Sequence, residues 1–402
     1  MPSNPGRLTQ IRDKYLNFAA QLTFLFTLLG FGLIAFAGGG VDFRGYYAAG
    51  ALVARGGNPY DYAQLAPVLE EITGFPGNNP YFYPPWYCLF FVPLSLIPYQ
   101  AARALWLLVN LLLFYLSLEY LQAALEWQVD GWRRWGAFLS AVVMFAAYCL
   151  HSEQAGILLL FGLALALRAI KQDRPPLVGL GLVIAVTKPQ ITALTVVLVG
   201  LWLLLHKPSA VLWAGGWLVI LIILASIAMP HWWEFDATGF GQGLVYRLDG
   251  TAGIVSKRVN STAFDFFSHV FHIEPPLQYL VIAGIGLSGL VLVGFAWYRY
   301  QSPAVLAAAS TILALLITPY ALQYDYVPLT IPLFWIFMRM PSLRRATRFI
   351  VAVLLFQSFS VLMWQQWSYQ GYWQLLGIFL AFSAIVVDNA MAHSSATQHP
   401  NN

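Results

Sequence analysis

Charge is what this chain has least of. Only 9% of its 402 residues are Asp, Glu, Lys or Arg, against roughly 25% in water-soluble domains. So few charges cannot clothe a water-facing surface, and the 59% hydrophobic content places the chain among polytopic membrane proteins. Cysteine is nearly absent too. Cys88 and Cys149 both lie in apolar surroundings without metal-ligand or redox spacing, which excludes a disulfide framework and leaves them as small buried hydrophobes. The seven histidines are scattered, and no phosphate-cradling glycine loop, nucleophile elbow or His/Cys cluster occurs, so the residues call for neither a metal nor a cofactor. The net charge of +4 sits in short basic clusters between apolar runs, where it sets orientation and does not suggest nucleic acid.

What the chain has in abundance is membrane-length apolar sequence. Runs near 16–37, 101–123, 136–150, 156–170, 176–188, 190–205, 209–229, 277–297, 303–318, 327–338, 349–365 and 372–388 qualify or nearly qualify as spans of about 20 residues. The expected fold is therefore all-α, with about 12 transmembrane helices. The first run reads as a retained helix and not a signal peptide. "YPPWYCLFFVPLSLIP", 83–98, is short and proline-studded and reads as re-entrant or interfacial. With the N-terminus cytoplasmic and 83–98 not crossing, Arg133, Arg134, the 168–174 cluster, Lys207, Arg299 and the 339–348 loop all fall on the cytoplasmic side, as the positive-inside rule asks. Two long outer loops result, about 38–100 and 230–276. A single membrane domain covers 1–390, with a disordered cytoplasmic tail over 391–402.

Polar residues are concentrated at the outer breaks. Asp42 follows three glycines and precedes Arg44, Tyr46 and Tyr47. It reads either as a solvated or capping carboxylate or, partly desolvated among tyrosines, as a general base. Lys188, followed by Pro189 and Gln190, interrupts two apolar runs. It either snorkels from a hairpin tip or faces a polar pocket. His151, Glu153 and Gln154 form a polar knot that can bind sugar hydroxyls or cap a hairpin, and Tyr324 and Asp325 sit at another break. Arg247, Lys257 and Arg258 in the second long loop invite an anion such as a phosphate, although long loops are exempt from the charge bias.

Taken in order, Asp42, Tyr46-Tyr47, "GGNPY" at 56–60, "YPPWYCLFFVPLSLIP", "EQAGILLLFGLALAL" at 153–167, "GLGLVIAVTKPQITAL" at 179–194 and "ITPYALQYDYVPLTIP" at 317–332 resemble glycosyltransferase family 87. That is a bacterial family of integral-membrane C-type glycosyltransferases, typified by polyprenyl-phosphate-mannose-dependent α-mannosyltransferases. The resemblance implies a C-type fold in the plasma membrane and an outward-facing active site. It implies a polyprenyl-phosphate sugar donor, mannose first, and a lipid or envelope-glycan acceptor. Asp42 would be the general base and Lys188 the intramembrane lysine. Lys188, Arg247, Lys257 and Arg258 become candidates for the donor phosphate. Tyr46, Tyr47, His151, Glu153, Gln154, Gln190, Tyr324 and Asp325 become candidates for the sugar or acceptor. "HSEQAG" departs from the family, which more often shows a Gly-Gln pair followed by Asn. A transporter or flippase of lipid-linked sugars is the chief rival, because it also builds sites from broken helices. A non-catalytic envelope partner and a ligase using diphosphate-linked glycans are the others.

Overall fold

Each of the twelve apolar runs contains a helix in the computed structural model, which describes residues 7–74, 80–129, 131–230, 232–233, 261–274, 276–364 and 371–398. The chain runs α1 (Arg7–Gly38), α2 (Phe43–Ala54), α3 (Tyr62–Thr73), α4 (Pro85–Leu89) and α5 (Tyr99–Ala124). Next come α6 (Gly131–Ser152), interrupted by a π turn at Val142–Ala146, α7 (Gly156–Lys171), α8 (Pro175–Ala185), α9 (Pro189–His206) and α10 (Pro208–Ala228). After the second long loop follow α11 (Ala263–Phe271), α12 (Leu277–Tyr300), α13 (Pro303–Ile317), a 3-10 segment (Gln323–Leu329), α14 (Thr330–Arg339), α15 (Arg345–Trp364) and α16 (Gly371–Gln398). The described residues contain no strand, and the protein is an all-α polytopic membrane protein.

Among the described residues, α1, α5, α6, α9, α10, α12 and α16 are long and apolar enough to cross a bilayer. Helices α7, α8, α13 and α14 have 16, 11, 15 and 10 residues, and they stop at the polar breaks. Proline sets several starts: Pro175, Pro189, Pro208 and Pro303 open α8, α9, α10 and α13, where the missing N–H costs nothing. Segment 83–98 holds only α4 and a 3-10 turn at Leu94–Leu96, too short to span 30 Å of hydrocarbon. It lies against α2, where a Cβ on Gly50 would come within 2.5 Å of the Phe91 backbone.

Packing separates lipid-facing from central helices. Most of α10 faces outward, with only 11% of its apolar window buried. In α13 every residue from Ala304 to Leu316 is buried. Helices α7 and α8 meet through glycine: a Cβ at Gly162 or Gly181 would lie 2.6 Å from the other's carbonyl oxygen, the close approach that small residues allow within membranes. A separate, aromatic cluster joins α2, α4 and α5, with Phe43, Tyr46, Tyr83, Tyr87, Phe91 and Trp106 packed together. Helix α16 continues past the apolar pattern to Gln398, and residues 399–402 lie outside the described ones.

Candidate active site

The stretch from Gly38 to Asp42 is stitched to the turn between α6 and α7. Gly39 N–H donates to Ala35 O at 2.7 Å, and a Cβ at Gly39 would sit 2.0 Å from His151 O, so only glycine fits. Gly40, at φ +90°, donates to His151 O at 3.2 Å, and Asp42 N–H reaches Ser152 O at 3.4 Å. Asp42 then starts α2 through its carbonyl, which accepts from Gly45 and Tyr46 N–H, while its side chain makes no capping bond. The carboxylate is thus available for something other than capping the helix.

Gln154 lies beside that carboxylate and holds its pKa down. Gln154 Oε1 accepts from Tyr83 OH at 2.7 Å, Tyr46 OH at 3.0 Å and Ala155 N–H at 3.3 Å. A backbone N–H can only donate, so this contact fixes which end of the amide is oxygen, and the NH2 end is the one available to lower Asp42. Burial pushes Asp42 from 3.8 up to about 6. Gln154 and then Lys188 pull it down, Asp325 pushes it up, and Arg44 lowers it least. Asp42 nevertheless keeps intermediate exposure. A carboxyl raised by burial to about 6, on a residue that is not fully enclosed, can exchange a proton near neutral pH.

Two further chain breaks meet this turn. Lys188 occupies the unwound join of α8 and α9, and its Nζ lies 2.5 Å from Asp325 Oδ1 in the 3-10 segment. Both are buried, at 2% and 0% exposure. Asp325 Oδ2 accepts from Leu322 N–H at 3.1 Å, so both carboxylate oxygens are used. The ammonium stands 4.8 Å from the Tyr324 ring centroid, and Tyr324 stacks on Tyr148 at 5.7 Å. A Cβ on Gly156 would lie 2.5 Å from Tyr324 O, which puts the Gln154 turn and the 3-10 segment in backbone contact.

Behind the turn lies a second buried pair. Arg103 Nε donates to Glu153 Oε1 at 2.6 Å, Arg103 Nη2 donates to Ala35 O at 2.6 Å, and Trp106 Nε1 donates to Glu153 O at 3.2 Å. Gly40 is needed here as well, since its Cβ would fall 2.4 Å from Arg103 Nε. Arg103 therefore braces the end of α1 against the turn that carries Gln154. Glu153 itself is left-handed, at φ 56°, and burial pushes its carboxyl up to about 7 against the pull of Arg103.

Of the candidates read from the sequence, Asp42, Tyr46, Gln154, Lys188, Tyr324 and Asp325 come together. Glu153 faces Arg103 instead. Tyr47 donates to Ile97 O at 2.7 Å within the aromatic cluster. His151 contributes its carbonyl to Gly40. Gln190 is half-buried in the first turn of α9, and its side chain makes no hydrogen bond among the described residues. Arg247, Lys257 and Arg258 lie outside the described residues. Tyr83 and Arg103 were not singled out from the sequence. Tyr83 heads the proline-rich segment and Arg103 opens an ordinary apolar helix, so neither carries a local signal. No group of three metal-ligating side chains occurs among the described residues.

The model of glycosyltransferase family 87 matches residues 81–319, a span that takes in Tyr83, Arg103, Glu153, Gln154 and Lys188. No curated protein and no solved structure matches the chain. With more than half of its length matched, on an all-α membrane fold whose helix breaks converge on one carboxylate, the chain belongs to glycosyltransferase family 87 and is a membrane glycosyltransferase.

Proposed function

We propose that this glycosyltransferase moves a sugar, mannose first, from a polyprenyl-phosphate donor to a hydroxyl of a lipid or envelope-glycan acceptor at the outer membrane face. Both termini are cytoplasmic in this reading. Asp42 is the general base. The observation that carries it is the state of Asp42, desolvated by its surroundings on a residue that keeps intermediate exposure, beside a Gln154 amide whose oxygen end is fixed.

In the reaction the acceptor oxygen attacks the anomeric carbon, its proton passes to Asp42, and the bond from that carbon to the phosphate oxygen breaks. Its electron pair leaves with the polyprenyl phosphate. General-base assistance of this kind contributes typically 10²- to 10⁴-fold. In this reading the NH2 end of the Gln154 amide steers the neighbouring carboxylate toward the acceptor. Tyr46 and Tyr83 keep that amide from turning. Lys188 supplies positive potential for the departing phosphate, with Asp325 holding its ammonium in place. Because that pairing leaves little net charge, Arg247, Lys257 and Arg258 are the further cations that meet the phosphate. Tyr324 offers a ring face to the sugar.

The test is made with purified protein in proteoliposomes, given labelled polyprenyl-phosphate and polyprenyl-diphosphate sugars together with a glycolipid acceptor. Label moving to the acceptor from the monophosphate donor is the expected result. Transfer from the diphosphate donor alone, or passage of intact donor between leaflets without transfer, overturns the reading.

A further inference from the structure

Helix α5 connects two polar regions. Arg103 near its start braces the Asp42 loop, and Glu119 lies 16 residues further on, about 24 Å along the axis. There, at the opposite end of the bundle from Asp42, a cavity of about 420 Å³ is lined by Glu119, Gln122, Glu126, Arg134 and Arg168, among others. A second, of about 170 Å³, shares Glu126 and adds Lys171, Tyr300, Trp335 and Arg339. Both acids are already paired, Glu119 with Arg134 and Glu126 with Lys171 at 2.8 Å. Arg168 and Arg339 have no acidic partner among the described residues, so four cations face two carboxylates.

The walls also hold unmade hydrogen bonds. Arg134 Nε, Arg339 Nε and Trp335 Nε1 are buried donors without a partner, and Gln122 Oε1 is a buried acceptor without one. Native structures satisfy nearly all such atoms, with water or a ligand where protein does not. The Arg339 guanidinium is held in place meanwhile, 5.8 Å from the Tyr300 ring centroid and 5.9 Å from that of Trp335. Basic residues near helix C-termini are ordinary, and so are basic residues at one face of a membrane protein. Neither tendency explains why guanidinium and indole donors line cavities unpaired, with a net positive charge.

We infer that these two neighbouring cavities, which share Glu126, bind phosphate-bearing anions, with Arg168 as the grip in the larger and Arg339 in the smaller. The source is either the headgroup of an anionic phospholipid, since basic pockets between membrane helices suit such headgroups, or a soluble phosphate. The inference depends on neither the donor nor the base assigned above.

Short-chain phosphatidylglycerol, phosphatidylcholine and inorganic phosphate are titrated against the full-length protein in neutral detergent, with thermal unfolding as readout. Phosphatidylglycerol raises Tm, and phosphatidylcholine does so less because its choline meets a cationic lining. Arg339→Gln and Arg168→Gln each shift the half-effect concentration upward by about tenfold, as expected for loss of a charge-assisted hydrogen bond. Arg133→Gln, an exposed residue of α6 outside both cavities, leaves it unchanged. If inorganic phosphate reproduces the shift with the same dependence on Arg168 and Arg339, the ligand is a soluble phosphate. If only phosphatidylglycerol does, it is a lipid. Equal response to both lipids with none to phosphate, or equal response of all variants, overturns the inference. Arg168, half-buried and unpaired, keeps the test decisive should Arg339→Gln fail to fold.

Discussion

Lys188–Asp325 and Arg103–Glu153 are both ion pairs inside the protein, with contacts of 2.5 and 2.6 Å, yet they are completed differently. Asp325 has a donor for each oxygen. Glu153 has one oxygen on Arg103 and the other, Oε2, buried without a partner, on a backbone at φ 56°. Glu153 therefore gains less from its charge and takes up a proton near neutrality, pushed up to about 7 by burial. The first pair is a fixed charge arrangement beside the site, whereas the second is a brace whose charge is partly dispensable.

Breaking the first pair has the largest expected effect on stability. Lys188→Ala or Asp325→Ala leaves an uncompensated buried charge, at a cost of about 3–5 kcal/mol, read as a drop in Tm in detergent. The double replacement Lys188→Met with Asp325→Leu recovers most of that stability, because well-packed apolar pairs often replace ionic ones at no loss. It does not recover transfer. Arg103→Ala costs less, about 1–3 kcal/mol, since Glu153 protonates in response. Equal costs for the two pairs would erase the distinction between them.

The pH dependence sharpens it. Glu153 shifts from 4.5 to about 7 on folding, so between these values the folded protein holds a proton that the unfolded chain has released. Its contribution to stability is present in full below 4.5 and falls as pH rises toward 7. Glu153→Gln keeps an acceptor for Arg103 and flattens that slope in Tm measured against pH. A smaller effect is expected at Gln154. Gln154 lowers Asp42, which burial has raised to about 6, so Gln154→Leu moves the acidic limb of the rate profile to higher pH. Tyr83→Phe follows in the same direction by less. Least of all, Arg55→Gln, which removes the exposed Arg55–Glu71 pair, leaves Tm and rate unchanged within error.

The helices were legible because apolar length alone specifies them, and the breaks because proline and charge interrupt that length at 188–190 and 317–326. Asp42, Gln154, Lys188 and Asp325 stood out as polar residues in apolar company. What pairs with what was not legible. Tyr83 reaches Gln154 across 71 positions and Arg103 reaches Glu153 across 50, and no local pattern encodes such contacts. Glu153 illustrates the limit. Its chemistry resembles that of its neighbour Gln154, but a left-handed backbone turns the two side chains to different partners.

The most direct test of Asp42 as the base is single-turnover transfer by Asp42→Asn alongside equilibrium binding of the lipid-linked donor. The expected result is a rate lowered by about 10² or more, with donor affinity within a few-fold of the unmodified protein and Tm unchanged or raised, because a desolvated carboxylate has been removed. A rate within tenfold of the unmodified protein, with donor still bound, would contradict the assignment.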